Sequence, residues 1–441
     1  MKQMYKPIIG LEVHVELKTK QKMFCGCPTD NFGKEPNTLT CPTCLGLPGA
    51  LPFTNQEAIK MCAKIGLALN CQLAEKSLFE RKNYFYPDLP KGYQISQYRW
   101  PLCTNGFLMV ADKTDEKRKI RINRVHQEED TGKLLHPGDQ TLIDYNRSGV
   151  PLVEVVTEPD FTDTEQVKNY AKLLAQIFRE LEVSNAEMEK GDMRLEANVS
   201  VSPPGSEGLP NYRVELKNIN SFTFMASAIT YEIERQIKVL ESGEKITQHT
   251  RGWDEVKKET FVQREKEEAN DYRYFPEPDL PELRIKNLES RIKQEIPELP
   301  NMREERLVQD YGLPSSSSAT LSASKELAIL FEDSVLLGKS KGITPLEISN
   351  LLLNVSVKNR PKDSLATIST IEQSKSGIID DNNQLEVLAG EVITENRRLV
   401  ESYKSGKVTV IMALVGMVMR KTAGKADPLK TKTILEKLLQ S

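Results

Sequence analysis

The stretch from Ile8 to Leu17 has the sequence Ile-Ile-Gly-Leu-Glu-Val-His-Val-Glu-Leu, in which apolar and polar residues alternate from Leu11 onward. A period of two predicts a β-strand with its apolar residues on one face. Glu12, His14 and Glu16 then project side by side from the other face. A half-buried strand with a solvated charged face is the ordinary alternative. A functional strand is favoured because the chain has only four histidines and a cysteine cluster follows at once.

The composition is that of an ordinary folded protein. The 441 residues include 39% hydrophobic and 28% charged residues, with a mean hydropathy of −0.45, so two or three domains with sizeable cores are expected. The longest apolar run, Val408 to Met419, is shorter than the ~20 residues that a membrane-spanning helix needs. The start, Met1 to Pro7, has no targeting pattern. We therefore expect a cytoplasmic protein with no membrane contact.

Four of the seven cysteines have the spacing of metal ligands, as Cys25-x-Cys27 and Cys41-x-x-Cys44. Two such pairs can bring four thiolates to the tetrahedron of a structural zinc site. With four cysteine ligands no position is open for catalysis, so the metal would stabilise a segment that has few apolar residues. Buried thiols without a metal are the alternative. That alternative is the interpretation for the other three cysteines, Cys62, Cys71 and Cys103.

Aromatic and basic residues are interleaved between Phe79 and Tyr98, where prolines exclude a long helix. Arg81, Lys82 and Lys91 lie among four tyrosines and a phenylalanine. Aromatic rings can stack on a base while the cations contact phosphate. A surface loop whose aromatic residues only pack on one another remains the alternative.

Carboxylates recur on the later predicted strands. Glu154 is the single acid in the apolar run Val150 to Val156, and burying it is costly unless it is paired or bound to a metal. Alternating strands are also predicted at Met193 to Val201 and Arg213 to Phe222, with Arg, Glu, Asn and Lys on one face. Such strands are typical of a Mg²⁺ and nucleotide site. The sequence has no Walker, kinase or dinucleotide-binding glycine motif.

The charge is unevenly distributed along the chain. The net charge is −3, but Tyr403 to Ser441 carries eight basic and two acidic residues, a net of +6, which leaves −9 for the rest. A basic tail on an acidic body suggests local contact with a polyanion. A solvated helical surface is the alternative.

Eight long motifs follow one another between Gly10 and Asp279. The motifs are Gly10-Leu-Glu-Val-His-Val-Glu-Leu, Arg81-Lys-Asn-Tyr-Phe-Tyr-Pro-Asp, Tyr93-Gln-Ile-Ser-Gln, His126-x-Glu-Glu-Asp-x-Gly-Lys, Gly149-Val-Pro-Leu-x-Glu, Glu215-Leu-Lys-Asn-x-Asn-Ser-Phe, Thr250-Arg-Gly-Trp-Asp-Glu and Asp271-Tyr-Arg-Tyr-Phe-Pro-Glu-Pro-Asp. They resemble the motifs of the B subunit of the heterotrimeric glutamyl/aspartyl-tRNA(Gln/Asn) amidotransferase. The end of the chain, from Ser405, resembles the tail domain of the same family, so the resemblance covers most of the chain.

The resemblance implies an ATP-dependent ligase of protein biosynthesis. Such a protein uses ATP and Mg²⁺ to phosphorylate the side-chain carboxylate of Glu-tRNA(Gln) or Asp-tRNA(Asn). Ammonia then displaces the phosphate and gives Gln-tRNA(Gln) or Asn-tRNA(Asn). The ammonia arrives by a channel from an amidase (glutaminase) A subunit, and a small C subunit completes a heterotrimer. The implied fold is α+β, a glutamine-synthetase-like antiparallel sheet followed by all-helical domains.

The resemblance also implies roles for particular residues. The residues implied at the metal and ammonia sites are Glu12, His14, Glu128, Glu129, Glu154, Glu189, Glu196 and Glu215, and His14, Glu129 and Glu154 among them are the implied Mg²⁺ ligands. Contacts to phosphate or ATP fall on Arg81, Lys82, Arg194, Arg251 and Arg273. Contacts to tRNA fall on the tail residues Lys404, Lys407, Arg420, Lys421 and Lys425.

Two departures from the family pattern are visible. The chain has Arg194-Leu-Glu196 where Arg-x-Asp is expected, so a longer acid would reach the metal from a shifted backbone. The C-terminal half is also shorter than usual, with a Ser/Thr-rich stretch from Ser364 to Ser376 in place of a helical segment. Composition predicts three domains. These are a catalytic domain with the zinc loop (residues 1–291), a helical linker domain (292–375) and a basic helical tail domain (376–441).

A scaffold that binds RNA and has no catalytic activity is the competing hypothesis. The basic tail, the cysteine cluster and the aromatic-basic loop fit it equally well. The acidic residues separate the two hypotheses, because a pure binder has no reason to place Glu154 in an apolar strand or Glu12 beside His14. The sequence does not distinguish Glu-tRNA(Gln) from Asp-tRNA(Asn) as substrate.

Overall fold

The computed structural model describes residues 5–206, 208–265, 272–376, 382–422 and 425–440. Asp271 of the last motif lies outside this part. The chain divides into two compact units, Met1–Met302 and Arg303–Ser441. The first unit contains every strand in the described residues, and the second is helical. The predicted α+β class with all-helical domains after the sheet is therefore confirmed, while the likeness to glutamine synthetase stays a prediction.

The first unit is built on a nine-stranded sheet in the order β13-β12-β11-β10-β1-β9-β6-β5-β2. Neighbouring strands are antiparallel except for β11 and β12, which are parallel. The strands are β1 (Lys6–Glu16), β2 (Gln72–Leu73), β3 (Glu80–Asn83), β4 (Tyr93–Ser96), β5 (Cys103–Ala111), β6 (Lys117–Glu129), β7 (Lys133–Leu135), β8 (Leu142–Asp144), β9 (Pro151–Thr157), β10 (Met193–Ser202), β11 (Val214–Ile219), β12 (His249–Asp254), β13 (Glu259–Glu265) and β14 (Phe275–Pro276).

The stretch that opens the sequence is the central strand of this sheet. As predicted from its alternation, β1 buries Leu11, Val13 and Val15, which are at most 1% exposed. β1 pairs with β10 on one side and β9 on the other, so its polar residues meet those of two further strands. The sheet thus has one apolar face and one polar face.

Three long helices cover the apolar face. α1 (Gln56–Ala68) packs against β5 and β6, α2 (Thr164–Glu180) against β5, and α3 (Phe222–Glu241) against β10 and β11. Each helix begins at a side-chain cap, since Asn55, Asp163 and Ser221 accept hydrogen bonds from the first-turn amides. Helices and sheet share one hydrophobic core.

A second, three-stranded sheet in the order β14-β3-β4 lies against β6. It is formed by part of the aromatic-basic stretch and by the start of the last motif. Arg81 of β3 pairs with Phe275 of β14 and with Ile95 of β4 in the antiparallel ladders. A two-stranded hairpin, β7 and β8, completes the strands of the described residues.

The helix Glu289–Gln294 packs into the core of the first unit through Ile292, and the helices after it form two separate apolar clusters. One cluster extends from Leu307 to Ile371 and the other from Leu385 to Leu439. None of the described helices is both long and apolar enough to cross a membrane. The helices are α4 (Glu289–Gln294), α5 (Pro300–Tyr311), α6 (Ser315–Ser322), α7 (Lys325–Gly338), α8 (Pro345–Asn354), α9 (Ser364–Ser376), α10 (Asn382–Glu395), α11 (Arg397–Lys404), α12 (Ile411–Lys421) and α13 (Pro428–Gln440).

The Ser/Thr-rich stretch is itself a helix, α9, which corrects the expectation that a helical segment is missing there. Asp363 begins it by accepting a hydrogen bond from the Ala366 amide at 2.8 Å. Ile368 and Ile371 pack into the apolar cluster at helical spacing. Threonine hydroxyls donate to carbonyls one turn earlier, as Thr367 does to Asp363 at 2.8 Å. The apolar spacing therefore outweighs the low helix propensity of serine and threonine.

The three-domain division stays a prediction. The first compact unit ends at Met302, beyond the predicted boundary at Arg291, and the second unit contains both helical clusters. In the described residues the two clusters share no apolar side chain, which supports a boundary between the linker and tail domains, since one domain normally has one contiguous core.

Two helical glycines provide a test of the packing. A Cβ on Gly66 of α1 would overlap the buried Cys103 side chain, at 2.7 Å from its Cβ, whereas a Cβ on Gly390 of α10 would meet nothing within 4 Å. We expect Gly66→Ala to lower the free energy of unfolding of the first unit by about 1–3 kcal/mol through overpacking. Gly390→Ala, the control, should raise that of the second unit by about 0.5–1 kcal/mol. Urea titrations measure both, and an unchanged first transition in Gly66→Ala would contradict this packing.

Candidate active site

The polar face of the sheet carries its charged residues in matched rows. In one row His14 of β1 lies opposite Arg194 of β10 and Glu154 of β9, and Glu154 lies opposite His126 of β6. In a neighbouring row Glu12 lies opposite Glu196. Side chains opposite each other on adjacent strands are about 5 Å apart at Cβ. The pairing register therefore brings acids that are far apart in sequence into contact.

The first cluster consists of His14, Glu128 and Glu154. His14 Nε2 is 3.6 Å from Glu154 Oε1 and 3.8 Å from Glu128 Oε2. His126 Nε2 lies between the same two carboxylates, 2.9 Å from Glu154 and 3.2 Å from Glu128. Arg124 Nη2 is 3.9 Å from Glu154. His14, Glu128 and Glu154 each offer one ligand atom within 4.8 Å of the others, so they could hold a metal ion.

The surrounding charges keep both carboxylates ionised. Burial raises the pKa of Glu154, but the charge of His126, the hydrogen bond with it and the charges of His14 and Arg124 outweigh burial, so the pKa is held well below its ordinary value. Burial also raises the pKa of Glu128, but His126 outweighs it and lowers the pKa to about 2. For His126, burial lowers the pKa, and the two glutamates raise it above its ordinary value. Two carboxylates that stay ionised are ready ligands for a divalent cation.

The second cluster consists of Glu12, Glu196 and Glu215, which also offer ligand atoms within 4.8 Å of one another. Lys217 Nζ lies 2.9 Å from Glu196 and 3.4 Å from Glu215. Asn198 donates to Glu12 at 2.8 Å. Burial, together with the charges of Glu154 and Glu196, raises the pKa of Glu12. This repulsion between acids is the electrostatic condition that a bound cation would relieve.

A third group of charges lies at the end of β1. Asp130 forms an ion pair with Arg194, whose Nη2 is also 3.8 Å from Glu16 Oε1. Arg147 Nε is 3.6 Å from Asp130. Burial and the neighbouring Asp130 raise the pKa of Glu16 to about 9. A pKa this high leads us to expect a proton on Glu16 at neutral pH, placed to hydrogen-bond with Asp130.

The small sheet forms a roof over the first cluster. Gln94 and Ser96 of β4 donate hydrogen bonds to Glu128. Lys82 of β3 lies over two tyrosine rings, 4.9 Å from the centroid of Tyr272 and 5.9 Å from that of Tyr84. Burial lowers the pKa of Lys82, but Glu128, Glu154 and the two tyrosines together outweigh burial and raise the pKa above its ordinary value. The roof thus places a cation beside the acids.

Several predicted site residues lie elsewhere. Glu129 is on the opposite face of β6 from Glu128, where it pairs with Lys91 and accepts from the Ile95 amide at 2.9 Å. The proposal of Glu129 as a ligand beside His14 and Glu154 is therefore corrected, and Glu128 takes that place. Adjacent residues of a strand point to opposite faces, so they cannot both join one cluster.

Three predicted phosphate contacts have charged partners within the fold, and one of them needs correction. Arg251 faces α3, with its Nε 3.4 Å from Glu232 and donating to Thr260 at 2.9 Å, on the side of the sheet away from the acids. Arg81 is committed to a bidentate pair with buried Glu277, at 2.6 and 2.8 Å. Arg194 is paired with Asp130. Arg251 is therefore corrected as a phosphate contact, whereas the phosphate roles of Arg81 and Arg194 stay predictions.

Glu189 and Arg273 are both exposed in connecting segments. Glu189 lies on the turn between α2 and β10, and Arg273 precedes β14 with a positive φ of 46°. Among the described residues neither belongs to one of the two acidic clusters. The prediction of a catalytic role for Glu189 has no support from its position.

Sequence reasoning missed His126, Arg124 and Lys217 as site residues. The signal for His126 was present, because it precedes Glu128 by two positions in a strand and must share its face. The signal for Lys217 was the same spacing from Glu215. Arg124, His126 and Glu128 together follow the period of two along β6.

The four predicted zinc ligands come together. Cys25, Cys27, Cys41 and Cys44 have sulfur atoms within 4.8 Å of one another, so this cluster could bind a structural metal. The Cys41 amide donates to the Cys44 sulfur at 3.1 Å, and a hydrogen bond from Cys25 is the main cause that lowers the pKa of Cys44 to about 5. Four soft thiolates fit Zn²⁺. The other three cysteines are buried in the hydrophobic core.

The five predicted tRNA contacts are all exposed on the helical tail. Lys404 ends α11, Lys407 follows it, and Arg420 is in the last turn of α12. Lys425 follows α12, whereas Lys421 Nζ is paired with Glu391 at 3.0 Å and Glu395 at 2.7 Å.

The raised pKa of Glu16 predicts a pH dependence of the stability. The folded chain keeps a proton on Glu16 up to about pH 9 that the unfolded chain releases above about 4.5. The free energy of unfolding should therefore fall as pH rises from 5 to 9, by up to about 1.4 kcal/mol per pH unit from this group. Glu16→Gln should remove this slope, and Glu241→Gln on the exposed end of α3 should keep it. Urea titrations at several pH values measure the difference, and parallel pH profiles for all three proteins would contradict it.

Family models and curated relatives match this chain over most of its length. The model of the GatB/GatE catalytic domain matches residues 7–290, and the GatB domain matches residues 347–439. The chain is 42% identical to the B subunit of the aspartyl/glutamyl-tRNA(Asn/Gln) amidotransferase of Thermotoga maritima over 481 aligned positions, which cover 99% of both chains. It is 43% identical to the corresponding protein of Thermodesulfovibrio yellowstonii, again over 99% of both chains.

The alignment with the Thermotoga protein is longer than this chain, 481 positions against 441 residues, so part of the relative has no counterpart here. This difference supports the prediction of a shortened segment. The catalytic-domain match includes β1, β6, β9, β10 and β11, the strands that carry both acidic clusters. With a family model matching well over half of its length and relatives matching nearly all of it, this chain belongs to the GatB/GatE family.

Proposed function

We propose that this chain is the part of a tRNA-dependent amidotransferase that activates and amidates the side-chain carboxylate of Glu-tRNA(Gln) or Asp-tRNA(Asn). The observation that carries the proposal is the presence of two acidic clusters in neighbouring rows on one face of one sheet, joined through Glu12 and His14 of β1. Two such clusters can position two anionic substrates against each other, provided that cations neutralise the repulsion.

The reaction needs an activated carboxyl group because a carboxylate is a poor electrophile. An oxygen of the substrate carboxylate attacks the γ-phosphorus of ATP, and ADP leaves with the electrons of the broken bond. Ammonia then adds to the carbonyl carbon of the acyl phosphate, and inorganic phosphate leaves as the amide forms and a proton is lost. Mg²⁺ bound at the two clusters would supply charge neutralisation between the phosphate and carboxylate oxygens.

The residues of this chain would hold the reactants in place. His14, Glu128 and Glu154 fit one cation, with His126 fixing both carboxylates by contacts at 2.9 and 3.2 Å. Lys82 in the roof is placed to meet developing negative charge on the substrate. Its tyrosine neighbours shield it from water and so strengthen that interaction.

Space for the nucleotide adjoins the second cluster. A cavity of about 390 Å³ lies beside Glu12 and Asn198. Tyr212 and Arg213 also line it, which offers an aromatic ring and a cation to a nucleoside. ATP with its phosphates toward Glu12, Glu196 and Glu215 would place the γ-phosphate near the first cluster, where the substrate carboxylate is expected.

Ammonia would come from partner subunits. An amidase A subunit that hydrolyses glutamine and a small C subunit would complete a heterotrimer, as the family resemblance implies. The same complex would act on misacylated tRNA in the cytoplasm, with the exposed tail cations Lys404, Lys407, Arg420 and Lys425 on the tRNA backbone.

The decisive experiment follows the γ-phosphate of labelled ATP into Glu-tRNA(Gln) in the reconstituted complex. Glu154→Gln keeps the size of the side chain and removes its charge, and we expect the rate of transfer to fall by at least about 100-fold, or about 2.7 kcal/mol of transition-state stabilisation. Glu241→Gln, on the helix-covered side of the sheet, should transfer phosphate at the wild-type rate.

The binding of tRNA is measured in the same samples. Loss of transfer with tRNA binding retained would support the first cluster as the site of activation. Equal rates in Glu154→Gln and wild type would refute that role. Binding without any transfer in the wild type would refute the proposed activity and favour an RNA-binding scaffold.

The exposed cations of the tail lead to a separate prediction about tRNA binding. Lys404→Ala with Lys407→Ala should weaken tRNA binding several-fold and should lower the dependence of log K on log salt concentration by about 0.9 for each lost phosphate contact. Lys421→Ala should have a smaller effect, because Lys421 is already paired with Glu391 and Glu395. Filter binding across a salt series measures both. An unchanged slope in the double variant would place the tRNA contact elsewhere.

A further inference from the structure

Lys22 is a lysine that the fold encloses completely, with 0% of its surface exposed. It lies three positions before Cys25, in the turn that the Lys22 amide closes by donating to the Cys27 carbonyl at 2.9 Å. Long charged side chains are almost never fully buried unless their charge is compensated. The surroundings of Lys22 therefore need an explanation that the acidic clusters do not provide.

The partners of Lys22 Nζ are two carbonyl oxygens and one sulfur. Nζ donates to the Leu39 carbonyl at 2.8 Å, to the Tyr145 carbonyl at 3.4 Å and to the Cys44 sulfur at 3.8 Å. No carboxylate of the described residues forms an ion pair with it. Of these three partners, only the Cys44 sulfur can carry a full negative charge, as a thiolate.

The cysteine cluster has the opposite imbalance. Four thiolates around one Zn²⁺ carry a net charge of −2, and two of the four cysteines, Cys25 and Cys44, are buried. A buried excess of negative charge is as unfavourable as a buried lone cation. One ammonium at the edge of the cluster reduces both problems at once, because each charge then lies beside the other.

We propose that Lys22 is the counter-charge of the four-cysteine zinc site and sets how firmly the metal is retained. The inference rests on the proposed zinc occupancy and concerns a residue outside the ligand set. Lys22 is a positioning residue, since it acts on the metal through Cys44. By reaching Leu39 and Tyr145 as well, the same ammonium ties the first cysteine pair, the second pair and the loop after β8 together.

The test compares rates of zinc transfer from the full chain to the chelator 4-(2-pyridylazo)resorcinol. Lys22→Met keeps the aliphatic stem and removes the charge, and Lys22→Gln keeps a hydrogen-bond donor without the charge. We expect both variants to release zinc at least tenfold faster than wild type. Lys22→Arg keeps the charge and should stay within threefold. Lys20→Met, at an exposed lysine of the same loop, is the control and should match wild type.

Alkylation of Cys44 by iodoacetamide, measured by mass spectrometry, gives a second readout. It should be faster in Lys22→Met and Lys22→Gln than in wild type, Lys22→Arg and Lys20→Met. Release of zinc from Lys22→Met and Lys22→Gln at the wild-type rate would overturn the proposal. Should Lys22→Met fail to fold, the comparison of Lys22→Gln with Lys22→Arg decides the same question. Wild-type protein purified with less than stoichiometric zinc that it does not regain would instead refute the zinc site itself, which separates the two failures.

Discussion

A negative charge enclosed within the sheet at Glu154 is the constraint on which the arrangement of the site depends. The residue is 7% exposed on a strand whose other positions are almost all apolar. An isolated ionised carboxylate in such a place would be strongly unfavourable. His14 and His126 lie on the two neighbouring strands opposite Glu154, and Arg124 lies on the same face as His126. The energetic need to pair this charge therefore favours one register on both sides of β9.

That register has consequences further along the sheet. His14 also lies opposite Arg194 of β10, and this second register places Glu12 opposite Glu196, so the second cluster forms next to the first. A slip by one residue would move every polar side chain to the face that α1, α2 and α3 cover. The hydrophobic core and the charged site thus enforce the same pairing, which explains how so many like charges can be held together in a stable fold.

The sequence predicted the strands well and their partners only in part. The period of two identified β1, β10 and β11, the apolar run from Val150 to Val156 identified β9, and the alternation in β1 gave the shared face of Glu12 and His14. Pairing between strands is non-local, so nothing in the sequence alone showed that Arg251 faces α3. The error at Glu129 was avoidable, because applying the same period to β6 separates it from Glu128. The family resemblance assigned both Glu128 and Glu129 to the site because they belong to one motif. In the strand these two side chains point to opposite faces of the sheet.

The cysteine loop supports the active site through a short backbone link. The Met23 amide donates to the Gly149 carbonyl at 2.7 Å, and the Leu17 amide to the Pro151 carbonyl at 2.9 Å, just where β9 begins. Gly149 has a φ of +87°, and a Cβ there would lie 3.5 Å from the Lys22 stem, 3.6 Å from Cys44 and 3.8 Å from Glu129. Glycine is favoured at this φ because other residues adopt it only with strain. The strand that carries Glu154 therefore starts from a point that the cysteine loop holds, so a metal bound by the four cysteines would also stabilise the register on which the acidic clusters depend.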